Sequence, residues 1–258
     1  MEKRFLLSQK ELNIPCVLSC PDSGDVRRVV LGVHGFGGSA ADPIQEGIAE
    51  EMALFRAATL RFDFPAHGES PMDSEAFTLE NCVATLLAVA AYAKAEFPEV
   101  EDLCVFATGF GAYVTLVALP DLLEMPGKVK LVMQTPSVRM HETLLSMIRM
   151  SRETFWAMNR VTLPAPRPFD VTYSFYEELQ EQMVYYNHHM PMLLLHGELD
   201  DVVTMEYLDP FRRFNPRSKL VVIPGADHQF RGAGQWDMVV DLTRDWFQCE
   251  QVLLCDYL

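Results

Sequence analysis

Short apolar runs alternate with stretches of helical periodicity along most of this chain, and that alternation constrains its fold more than any other feature. Val26 to Val33, Ala58 to Phe64, Val100 to Thr108, Val129 to Gln134, Met192 to His196 and Leu220 to Ile223 read as buried strands. Between them, Pro43 to Arg56 carries Ile44, Ile48, Met52 and Phe55 at helical spacing, and Thr78 to Phe97 is a long helix with a threonine positioned to cap it. Gly111 to Leu119 and Gln235 to Cys249 complete the helices, while Phe5 to Ser8 and Ile14 to Cys20 read as an opening antiparallel pair. This βαβ rhythm predicts an α/β fold, a mostly parallel twisted sheet with helices on both faces.

One stretch interrupts the rhythm. Between Pro136 and Pro191 lie about fifty residues without a βα unit, where a connection normally takes a few. The segment holds Met140, Met147, Met150, Phe155, Trp156, Met158, Phe169, Tyr173, Phe175, Tyr176, Tyr185 and Tyr186, and Leu163-Pro164-Ala165-Pro166-Arg167-Pro168 divides it. So apolar a segment packs rather than staying disordered, and it reads as a lid over a pocket. The expected division is a core of residues 1–136 and 191–258 with a lid insertion of 137–190. Most of its large side chains are expected to pack it onto the core, with Trp156, Phe169 and Tyr173 as candidates to line the pocket.

Charge and cysteine usage narrow the function classes. A net charge of -15 disfavours nucleic acid or an anionic membrane as partner. Phe5-Leu6-Leu7 is too brief for a signal-peptide core, and no run approaches a membrane span, so a cytoplasmic location is expected. The six cysteines lack paired zinc spacing and read as reduced structural thiols; neither a metal nor a cofactor is expected. The apolar tail Gln251 to Leu258 can dock on its own domain or on a partner, which keeps a homodimer open.

Five motifs fall at strand ends, in this order: His34-Gly35-Phe36-Gly37-Gly38; Asp63-Phe64-Pro65-Ala66-His67-Gly68-Glu69-Ser70; Ala107-Thr108-Gly109-Phe110-Gly111; His196-Gly197-Glu198-Leu199-Asp200; and Gly225-Ala226-Asp227-His228. Together they resemble the α/β-hydrolase superfamily, most closely the bacterial cinnamoyl and feruloyl esterases and the serine aminopeptidase-like hydrolases. The resemblance spans nearly the whole chain and implies the α/β-hydrolase fold, with the insertion placed before the penultimate region of the sheet. It also implies roles: Asp200, rather than the adjacent Asp201, as the acid that orients the base, and His228 as general base. The amides of Phe36 and Phe110 would form an oxyanion hole, and the ligand would be a small ester, acyl or aromatic compound.

The departure from the pattern lies in the third motif. Laid on small-x-Ser-x-Gly, Ala107 and Gly111 take the small positions and Gly109 takes that of the nucleophile. Thr108 is one position early, and Cys104 lies deeper in the strand. Glycine relieves the strain that a side chain suffers at such a turn, while loss of the serine is chemically severe: in subtilisin it lowers turnover about a million-fold. Three readings stay open. The chain is a non-catalytic or strongly impaired homologue that binds a small acyl or aromatic ligand; or it is an esterase or amidase whose serine was replaced at 109; or it is a serine-independent enzyme with His228 as general base.

Overall fold

The computed structural model describes residues 1–100 and 102–249, so the apolar tail Gln251 to Leu258 lies outside the described residues. The chain opens with β1 (Glu2–Gln9) and β2 (Leu12–Ser19), an antiparallel pair. There follow β3 (Arg28–Val33), α1 (Pro43–Leu54), β4 (Ala57–Phe62), α2 (Leu79–Glu96), β5 (Asp102–Thr108), α3 (Gly109–Glu124) and β6 (Lys128–Gln134). Then come α4 (Met140–Ile148), α5 (Arg152–Met158), β7 (Arg160–Leu163), β8 (Phe169–Thr172) and α6 (Tyr173–Glu181). The chain then runs through β9 (Met192–Gly197), α7 (Met205–Phe214), β10 (Ser218–Ile223) and α8 (Gln235–Gln248).

Eight strands form one sheet in the order β1-β2-β4-β3-β5-β6-β9-β10, parallel from β4 to β10 and antiparallel at the β1-β2-β4 edge. The strand period of two sorts side chains to the two faces. Val29, Leu31 and Val33 of β3, with Leu103, Val105 and Ala107 of β5, join the core beneath α2 and α3. Val30, Cys104 and Phe106 point the other way and meet Ile48 and Met52 of α1 with Val239, Trp246 and Phe247 of α8. Burying such a side chain contributes about 1.5–3 kcal/mol, so both layers stabilise the sheet substantially. As expected, Thr78 caps α2, its hydroxyl accepting from Asn81 N–H at 3.1 Å.

The segment between β6 and β9 is built from α4, α5, α6 and the antiparallel β7–β8 pair. The proline-rich run read as a break is the loop of that hairpin, between Leu163 and Phe169. Its ties to the rest of the chain are polar as well as apolar. Glu178 of α6 accepts from Leu79 N–H at the start of α2 (2.6 Å), and the Tyr113 hydroxyl of α3 donates to Gln182 O (2.7 Å). Arg167, in the hairpin loop, donates to the carbonyls of Gly68 and Met72. Two helices differ from the sequence reading. α3 begins at Gly109, two residues earlier, and α7 was hidden by Pro210 inside it although Leu208 and Phe211 are buried. Cys16, Cys20, Cys82 and Cys104 are free thiols. Cys249 is disulfide-bonded, against the expectation of reduced thiols throughout. No helix among the described residues is long and apolar enough to cross a membrane.

Candidate active site

In an open parallel sheet the C-terminal strand ends gather their loops at one edge, where ligands bind. Here the loops after β3, β5, β6 and β10 surround a cleft of about 500 Å³ together with residues of α4. Phe36, Gly109, Phe110 and His228 line it, and Asp200 stands behind His228.

The β9 and β10 loops bring Asp200 and His228 together. Gly197 ends β9 so close to the next loop that a Cβ there would lie 2.7 Å from Asp227 O. The two loops are stitched by Glu198 N–H to Ile223 O (3.1 Å), Leu199 N–H to Ala226 O (2.8 Å) and Gly225 N–H to the Glu198 carboxylate (2.8 Å). This brings His228 Nδ1 to 2.9 and 3.0 Å from the two Asp200 carboxylate oxygens. The Asp200 side chain is 0% exposed and that of His228 27%. Burial alone would raise the Asp200 carboxyl. The hydrogen bond and charge of His228 and the amides of Val203 and Val202, each 2.9 Å from Oδ1, outweigh it and hold the group below the usual carboxylate range. With Nδ1–H donating to this carboxylate, Nε2 keeps its lone pair, the tautomer of a general base.

The β3 and β5 loops shape the opposite wall. His34 is fully buried, accepting from Phe64 N–H at Nε2 (3.1 Å) while Nδ1 donates to Gly35 O (2.8 Å), so it is a neutral strap between two loops. Asp63 holds the same region, accepting from Ala40 N–H (2.7 Å) and Glu69 N–H (2.8 Å). Gly109 stands at the strand–helix junction with φ +49°, the left-handed region that side chains rarely adopt. The space above it is open: a Cβ there would meet only Ser137 Oγ, at 3.9 Å. Thr108, one residue earlier, places its hydroxyl against Gly35, 3.3 Å from where a Cβ would sit.

Burial pushes His34 down to about 4 and His67 down to about 3. A depressed histidine contributes stability that is complete above its unfolded value near 6.5 and is lost as pH falls toward the folded value. Asp42 and Asp63, raised chiefly by burial, act in the opposite sense. We therefore expect His67→Phe to flatten the fall in unfolding free energy between pH 7 and pH 4, as measured by urea titration. The histidine's share is on the order of 3 kcal/mol. An unchanged slope would contradict the assignment.

The three pocket candidates from the insertion do not line this cleft. Trp156 is 67% exposed on α5. Phe169 is buried in a ring cluster beneath Phe36, with centroids 5.3 Å from Phe36 and 4.3 Å from His67. Tyr173 packs on Phe155 and Tyr176, its hydroxyl accepting from Arg152. An aromatic that is core to the insertion is not free to face a ligand. The apolar lining comes instead from Ile44, Met140, Met147, Pro166 and Trp236. Gln134, Ser137 and Thr143 are lining residues that the sequence reading missed; the signal was Gln134, a polar end to the buried run Leu131-Val132-Met133. Among the described residues no group of three or more His, Cys, Asp or Glu side chains could hold a metal ion.

Known proteins share this architecture. The sequence model of the alpha/beta hydrolase family matches residues 30–242. No curated protein matches the chain at the sequence level. Among solved structures, Est1E from Butyrivibrio proteoclasticus, with ferulic acid bound, superposes with TM-score 0.80 at 21% identity, covering 93% of this chain and 96% of that one. A putative hydrolase from Agrobacterium vitis S4 gives TM-score 0.78 at 16% identity, covering 96% and 99%. Mouse alpha/beta hydrolase domain-containing protein 10 gives 0.71 at 17%, covering 94% and 97%. At these identities the structural likeness speaks for the fold. With the family match over most of its length, the chain belongs to the alpha/beta hydrolase family.

Proposed function

We propose that this protein is an esterase-type hydrolase scaffold whose cleft binds a compact acyl or aromatic ligand without forming an acyl-enzyme. The observation that carries the reading is Gly109. It keeps the left-handed turn on which a nucleophile would be presented, with open space above it, in the cleft that His228 lines and Asp200 supports. In this reading Asp200 is the acid, His228 the base and the amides of Phe36 and Phe110, both in the cleft lining, the backbone donors, while position 109 carries no side chain that could attack a carbonyl. A serine at 109 would complete ester hydrolysis. Without it, His228, held from behind by Asp200, becomes a polar wall of a binding site, and the apolar lining selects the acyl group. Residues 137–190 act in this reading as a lid, contributing Ser137, Met140, Thr143, Met147 and Pro166 to the cleft. Ferulic acid is bound by Est1E, which makes hydroxycinnamic acids the first ligands to try here.

Isothermal titration of the unmodified chain with ferulic, cinnamic and 3-phenylpropionic acids tests the reading. Binding of at least one, weakened at least tenfold by Met147→Glu on the apolar wall, is expected. No heat with any of them, and no thermal shift, would overturn it.

A further inference from the structure

The wall that continues from β6 into α4 carries three polar groups, Gln134, Ser137 and Thr143, among its hydrocarbon. Ser137 lies beside the elbow: its N–H donates to Gly109 O (3.2 Å), and its hydroxyl is the nearest side-chain atom to the open space above Gly109. Gln134, paired across the sheet with Thr108, is 4% exposed, and its Oε1 has no hydrogen-bond partner. Thr143, on the first turns of α4, is 1% exposed, and its Oγ1 has none either. All three line the same cleft as Gly109 and His228.

Buried polar groups are nearly always satisfied, because each one left without a partner destabilises the fold. Two such groups on one wall of one cleft, next to a third hydroxyl, are better explained by a ligand than by packing. The set is also complementary to a hydroxyl: an amide or hydroxyl oxygen accepts its proton, and a serine or threonine hydroxyl donates back. Ser137, whose Oγ lies 3.9 Å from where a Cβ at 109 would sit, places this polar wall next to the elbow.

From this arrangement we infer that Gln134, Ser137 and Thr143 form a polar subsite for a hydroxyl on the acyl chain, so that the ligand is a hydroxy acid or its ester. This rests on the binding reading above and names the ligand class within it.

The test compares 3-phenyllactic acid with 3-phenylpropionic acid, which differ by one hydroxyl beside the carboxyl group. Calorimetric titration of the unmodified chain should show the hydroxy acid binding about tenfold more tightly, the size of one or two net hydrogen bonds. Gln134→Met and Thr143→Val should each reduce the preference, taken as the ratio of the two affinities in the same variant, to twofold or less. With their buried orphan atoms removed, both variants should also melt at or above the temperature of the unmodified chain. Equal binding of the two acids by the unmodified chain would overturn the subsite while leaving the binding cleft standing. A preference that survives both substitutions would overturn the assignment to these residues. If neither acid binds, the binding reading falls and the subsite with it.

Discussion

Gly109→Ser is expected to convert this chain into an ester hydrolase. The backbone is already set for it: φ at 109 is +49°, and the Cβ of the new residue would meet nothing closer than Ser137 Oγ at 3.9 Å. His228 Nδ1 lies 2.9 Å from Asp200, and in the proposed reading that pairing leaves Nε2 to take a proton from the new hydroxyl. In subtilisin the serine of such a unit is worth about a million-fold in turnover. In a site not refined for it, roughly 10³-fold over the buffer rate on p-nitrophenyl acetate is a fair lower bound. Adding His228→Ala to the Gly109→Ser variant should return the rate to background. The fold is expected to weaken by about 1–2 kcal/mol on Gly109→Ser, because a non-glycine residue at this φ is strained. A Gly109→Ser variant that is folded yet inert, with the base in place, would show that the site has lost more than one side chain.

Gly111→Ala should have the largest effect on stability. Two residues beyond the elbow, α3 passes so close to the end of β3 that an added methyl would strike the backbone carbonyl of His34 and lie 2.7 Å from that of Val33. Neither is the end of a flexible side chain: Val33 ends the central strand β3, and His34 opens the His-Gly loop that follows it. Overpacking a core costs about 1–3 kcal/mol where side chains can yield, and more where only backbone can. In a chain of this size that corresponds to a melting temperature lower by roughly 5–15 °C. A thermal melt within about 2 °C of the unmodified chain would contradict this close packing. Gly47 provides the contrast, since a Cβ there meets only Val240 at 3.6 Å and Gly47→Ala should be near neutral or stabilising.

The core of this fold was legible because its strands are pure. Runs such as Leu103-Cys104-Val105-Phe106-Ala107 are buried on both sides, so their length and flanking glycines identify them without any knowledge of the partner strands. The Asp200–His228 pair was legible for a related reason: each sits directly after a strand, and the order of strands fixes which loops meet. The insertion was not. Its aromatic residues served equally well as core or as pocket on composition, and only packing shows that Phe169 and Tyr173 are enclosed while Met140 and Met147 reach the cleft. The β7–β8 hairpin escaped notice because its strands are four residues each and its loop is mostly proline, which reads as a break. Gln134, Ser137 and Thr143 carry no motif, and only the fold shows that they are buried and line the same cleft as Gly109.

The most direct test of the proposed reading is covalent labelling with a fluorophosphonate, which reacts only with an activated nucleophile. The unmodified chain should acquire no adduct by intact mass. The Gly109→Ser variant should acquire one, mapped to residue 109 by peptide sequencing and lost on adding His228→Ala. An adduct on the unmodified chain, at Thr108, Ser137 or any other residue, would contradict a binding site without covalent chemistry and make this protein a hydrolase with a relocated nucleophile.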